Sequence, residues 1–230
     1  PPKGKPGKPE GGKPKTREEL IKETEALAGS RGSAYWHDNV RDEQIAEFNA
    51  AIAEMRKKYP GISVEGIGSY VSGDNSTGAA YFPGTHSIRL NADHARGGVH
   101  DFPGWKAREV VVLEGSKTYD FKRHNVGSTA QGITIRAVTI HEWGHALHFQ
   151  AMRLWRPAKS DVITAFKRAR RNGDIAKISK YSMTNFKEFF AECFAARELG
   201  ETLPDYLNKM LDDTYAKYER AGAEKSLQTR

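Results

Sequence analysis

The sequence predicts an α+β domain, with a small mixed or antiparallel sheet packed on one buried helix and a helical C-terminal part. Three observations predict it. Near-alternating apolar residues, punctuated by turn signals, fall between residues 62 and 91. Apolar residues at spacings of three and four dominate from residue 128 onward. Between them in character stands Ala137–Phe149, AVTIHEWGHALHF, a stretch with no Lys or Arg that reads as an interior helix.

The chain opens on a segment that cannot join that fold. Residues 1–17 hold six Lys/Arg and one Glu, a net of +5 out of +7 for the whole chain. They also hold five of the ten prolines and four glycines, with no apolar periodicity. Such a tail cannot bury enough surface to fold and reads as a solvated linker. A contact with nucleic acid or another anionic partner is its alternative use. The start at Pro1-Pro2 fits a fragment or a processed product, and makes the tail itself a candidate for cleavage. Residues 18–230 then form the domain, an α/β part to about 156 and a helical part over 157–230. Its own charge is only +2. The single cysteine, Cys193, excludes an internal disulfide and is compatible with a reducing compartment. No signal peptide shows, and no apolar run approaches the ~18–20 residues of a membrane span.

Within the domain, Glu18 to about Ala28 reads as a short helix. Ile45, Phe48, Ile52 and Met55 predict a stronger one, stopped by Pro60 and Gly61. GISVEGIGSYV follows as a strand loosened by glycines. AAYFPGTHSIRLNA predicts a hairpin, with Pro83-Gly84 suited to a type II turn and HSIRLN as a candidate open edge for substrate. REVVVLEG, at 108–115, is a short strand in a loop-rich region. A helix is expected from Ser128, whose spacing to Gln131 suits a capping box, to about Trp155. Three more follow, over DVITAFKRARR, NFKEFFAECFAARELG and PDYLNKMLDDTYAKYERAG.

The chemistry concentrates in HEWGH. Residues four apart on a helix differ by only ~40° in azimuth and ~6 Å in height, so His141 and His145 can aim two imidazoles at one ion. Glu142 sits ~100° round, beside the ion, where it can take a proton from water whose pKa the metal lowers. The alternative is the polar face of an ordinary helix. The uncharged flanks Val138-Thr139-Ile140 and Ala146-Leu147 argue against it, because a buried His/Glu/His cluster demands compensation. His148 shares the face but lies ~10 Å further along the axis from His141, and is expected in the core or behind the ligands. His94, His100 and His124 are expected to be loop histidines rather than a second site.

A catalytic zinc takes three protein ligands and a water. The best donor of the third is YSMTNFKEFFAECFA, where Glu188 and Glu192 lie four apart among Phe189, Phe190, Cys193 and Phe194. Two simpler roles stand beside this: Glu188 as the far end of a capping box from Asn185, and Tyr181 as an ordinary helix-entry aromatic. Cys193 itself is expected as a buried small hydrophobe.

HEWGH, with Tyr181, Asn185 and the run Glu188–Glu192 downstream, resembles the anthrax lethal factor-like metallopeptidases, a group that includes the Pro-Pro endopeptidases. The resemblance covers residues 137–196. It implies a zincin-like fold, Glu188 as third ligand of one Zn2+, and Tyr181 as hydrogen-bond donor to the developing oxyanion. It also implies that Glu192 orients a ligand histidine. The expected function is therefore a zinc-dependent endopeptidase acting on polypeptides with a metal-activated water. Two alternatives remain: a DNA-associated zinc protease using the tail and FKRARR, and a non-catalytic structural or interaction module, such as a phage-particle component, with a silent metal site.

Overall fold

A computed structural model describes residues 14–29, 34–72, 78–95, 128–129 and 132–228. Expectations for the first thirteen residues, for the strand at 108–115, and for His100 and His124 lie outside the described residues, as does the side chain of His94.

Helix α1 (Arg17–Leu27) begins one residue inside the expected tail. Thr16 sets its start: the Thr16 hydroxyl accepts the Glu19 N–H, and the Glu19 carboxylate accepts the Thr16 N–H at 2.8 Å. Helix α2 (Asp42–Lys58) buries Ile45, Phe48, Ile52 and Met55, the stripe its sequence predicts. It ends in Arg56, Lys57 and Lys58, whose charge suits the negative end of the helix dipole.

Strands β1 (Ala34–Tyr35), β2 (Gly66–Tyr70), β3 (Ala79–Phe82) and β4 (Ser87–Asn91) form a mixed sheet in the order β1-β2-β4-β3, and the one-turn helix α3 (Ala92–Ala95) follows β4. β1 and β4 run parallel to β2, and β3 is antiparallel to β4. Gly68 lets β1 approach: a Cβ there would lie 2.1 Å from the Tyr35 carbonyl oxygen, and its φ is +153°. Two expectations about the hairpin need correction. HSIRLN is not an open edge, because β4 lies between β2 and β3; β3 is the edge strand on that side. Alternation assigns faces to a strand but not neighbours. The turn is not type II either. Gly84 has no positive φ; Thr85 N–H donates to the Phe82 carbonyl (3.3 Å) and His86 takes φ +46°. That fits a type I turn followed by a left-handed residue.

A third correction concerns the central helix. Ser128 does not cap it; β5 (Ser128–Thr129) pairs with β6 (Gly132–Ile133), and α4 spans Ile135–Leu154. The N-cap is Thr134, whose hydroxyl accepts the Ala137 N–H at 3.1 Å. Helices α5 (Pro157–Asn172), α6 (Ile175–Ile178), α7 (Phe186–Glu198) and α8 (Asp205–Gln228) follow, with a 3-10 turn at Tyr181–Met183. α4 is the hub, in contact with α2, α5, α7, α8, β3 and β4. That is why its sequence is nearly uncharged and its residues 137–144 are buried all round. One hydrophobic cluster runs from Leu20 to Tyr218 through every layer. No helix among the described residues is long and apolar enough to cross a membrane.

Candidate metal centre

His141 and His145 stand one turn apart on α4, with their Nε2 atoms 3.0 Å from each other. Glu188, in the first turn of α7, brings Oε2 to 3.2 Å from His141 Nε2 and 3.1 Å from His145 Nε2. Glu188 owes its place to Asn185, whose side chain accepts the N–H groups of Lys187 (2.8 Å) and Glu188 (3.2 Å). The cap therefore exists, but the Glu188 carboxylate does not return to it; it turns to the histidines.

The three donors fit a metal ion. Bonds of ~2.0–2.1 Å at tetrahedral angles set donors about 3.3 Å apart, close to the separations found here. Together they form a group able to hold a cation. Glu192, one turn on along α7 and fully buried, lies with Oε1 2.8 Å from His141 Nδ1. A carboxylate only accepts, so Nδ1 carries a proton and the ring can offer its Nε2 lone pair toward the centre.

Electrostatics make the same demand. Burial disfavours a charged imidazole at His141, but hydrogen bonds to Glu188 and Glu192, with the charges of Glu192 and Glu142, outweigh it and hold its pKa at about 10. Burial alone would raise Glu188, yet hydrogen bonds and charges from both histidines hold it well below the ordinary carboxylate range. Three carboxylates packed on two imidazoles call for positive charge, which a proton supplies where no cation does.

Glu142 is buried, and burial raises its pKa against the opposing charges of His145 and His141. Its Oε2 accepts the backbone N–H of Tyr81 on β3 at 2.7 Å. The Tyr81 amide is a contact the sequence did not suggest, since a main-chain donor leaves no mark in residue type. The Tyr181 ring stands 5.9 Å from that of His141. Burial first, then the charges of Glu188, Glu142 and Glu192, push its phenol up, so the hydroxyl keeps its proton.

The packing of α4 on α7 sets these distances. Phe189, Phe190 and Phe194 are fully buried, each contributing roughly 1.5–3 kcal/mol. Gly144 is what lets the helices meet: a Cβ there would lie 3.0 Å from Ala191 Cα and 3.1 Å from Phe194 Cβ. His148 belongs to this core, as expected. It stacks on Phe190 with centroids 4.7 Å apart, and its Nε2 has no partner among the described residues. Cys193 is buried, and burial pushes its thiol pKa up.

Comparison of the chain with protein-family models, curated protein sequences and solved structures finds no match.

Proposed function

We propose that this protein is a zinc metalloendopeptidase of zincin-like architecture, grouped by its motifs with the lethal factor-like metallopeptidases. The observation that carries the reading is the convergence of His141 Nε2, His145 Nε2 and Glu188 Oε2 beside the buried carboxylate of Glu142. These three side chains would hold one Zn2+. When bound, it would supply Lewis acidity toward a peptide carbonyl and make water acidic enough to ionise near pH ~7.

The remaining work falls to the chain's own groups. Glu142, with its pKa raised by burial, accepts the proton of the attacking water and returns it to the departing amine. The Tyr181 hydroxyl donates a hydrogen bond to the carbonyl oxygen as negative charge develops there. Glu192 keeps the proton on His141 Nδ1 and so keeps the other nitrogen available to the metal.

Metal stoichiometry by elemental analysis, with peptide-library cleavage by wild type and Glu142→Gln, tests the proposal. One zinc in both proteins and cleavage in wild type alone is the expected outcome. Cleavage persisting in the variant removes Glu142 as the base, and zinc bound without turnover in wild type favours the silent-site module. The DNA-associated reading draws on exposed Lys167, Arg168, Arg170 and Arg171 of α5. Two of these already lie over rings, Arg168 at 4.0 Å from the Tyr206 centroid and Arg170 at 5.7 Å from that of Phe166, so the patch is partly engaged within the protein.

A further inference from the structure

The surface of α4 leads away from the metal centre in one direction. From Ala137 to Ala151 only His145 and Phe149 keep part of their area exposed; beyond them Met152 is half-buried, and Arg153 and Arg156 are exposed. At 3.6 residues per turn these positions form a single stripe. Tyr81 of the edge strand β3 flanks it, with its ring 6.1 Å from that of Phe149. The stripe ends at a cavity of about 320 Å³ lined by Ser63, His86, Gln150, Arg153, Leu154 and Tyr218.

Most polar groups of this cavity are satisfied within the protein. Gln150 Nε2 donates to the Ser63 carbonyl at 2.7 Å, the Tyr218 hydroxyl lies 2.7 Å from the Gly61 carbonyl, and the Tyr81 hydroxyl meets His86 Nδ1 at 2.9 Å. Arg153 is different: it has no hydrogen bond or ion pair among the described residues, and no carboxylate lines the cavity. A guanidinium facing a concave wall without an acid is a site for an anion carried by something else.

Resting on the peptidase reading for what is cleaved, we propose that this groove selects an extended polypeptide with an apolar side chain over Phe149 and an acidic side chain at Arg153. The helix rise supplies the spacing. Phe149 and Arg153 are four residues apart, about 6 Å along the axis. An extended chain covers that in about two residues, which also turns both side chains to one face. His145 to Arg153 is about 12 Å, so the acid falls about four residues from the cleaved bond.

The test uses the full chain loaded with zinc, and fluorescein-labelled alanine-rich decapeptides. Each carries one leucine and, two positions on, Glu, Gln or Lys. By fluorescence anisotropy, Glu142→Gln protein should bind the Glu peptide about tenfold more tightly than the Lys peptide. Adding Arg153→Glu should invert that order, with circular dichroism confirming the fold. Equal affinities, or a Glu preference that survives Arg153→Glu, overturn the inference. Library cleavage separates it from the reading beneath it. Cleavage by wild type with no Asp or Glu enriched about four residues to either side overturns the inference and leaves the peptidase. Acid-selective binding with no cleavage leaves the groove and removes the peptidase.

Discussion

Gly144→Ala is the most direct probe of whether helix packing sets the candidate metal centre. The added Cβ would sit 3.0 Å from Ala191 Cα, 3.1 Å from Phe194 Cβ and 3.3 Å from Phe194 Cδ1. Backbone of a buried helix cannot step aside as a side-chain tip can, so α7 must retreat by about half an ångström to reach ordinary carbon contact. Ala191 stands between Glu188 and Glu192, and the retreat carries both carboxylates away from His141. Alanine gains about 1 kcal/mol of helix propensity over glycine, whereas overpacking costs about 1–3 kcal/mol. The net expectation is a loss of up to about 2 kcal/mol in urea unfolding of the metal-free protein. Metal affinity should fall by about 10–100-fold, the size seen when the partner orienting a ligand is disturbed. Chelator competition measures the second effect independently of the first. A variant about 1 kcal/mol more stable, with unchanged affinity, would refute the reasoning and show a compliant α4–α7 contact.

Other outcomes follow from the same interior. Glu192→Gln keeps the shape beside His141 Nδ1 but removes the charge, so zinc affinity in chelator competition should drop about tenfold; unchanged affinity would make Glu192 a space-filler. His148→Phe should reduce the acid sensitivity of the fold. Burial, helped by the charges of His145 and Lys187, lowers the His148 pKa from 6.5 to about 3, so below pH 6.5 the unfolded chain binds a proton that the folded chain refuses. Stability from this residue is whole above pH 6.5 and falls as pH drops toward 3. Between pH 7 and 5, wild type should lose about 2 kcal/mol more than His148→Phe in urea unfolding, and parallel curves would contradict this.

How much of this was legible depended on the range of the information. The spacing of Ile45, Phe48, Ile52 and Met55 sufficed for α2, because a buried stripe is written into one helix. HEWGH sufficed for the His141–His145 pair, because the helix itself fixes their offset. The start of α4 was not legible. Ser128 and Thr134 are both good caps, and the choice between them was made by pairing of residues 128–129 with 132–133, a contact that periodicity does not report. The sheet order failed for a related reason: Ile88 and Leu90 alternate whether β4 is an edge or interior, and only β2 decides which.

Glu188 and Glu192 lie between these extremes, and their roles separate through depth rather than type. Both face α4 from one side of α7, but Glu192 is one turn further along, beside the point where Gly144 draws the helices together. There the Glu192 carboxylate, fully buried, meets the near nitrogen of His141, Nδ1, at 2.8 Å. Glu188 sits in the first turn of α7, fixed by the Asn185 cap, and its Oε2 reaches the Nε2 atoms of both histidines. On the proposed function, two identical side chains four residues apart would thus serve as a metal ligand and as the partner that orients one, because their places along α7 bring them to opposite nitrogens of the His141 ring.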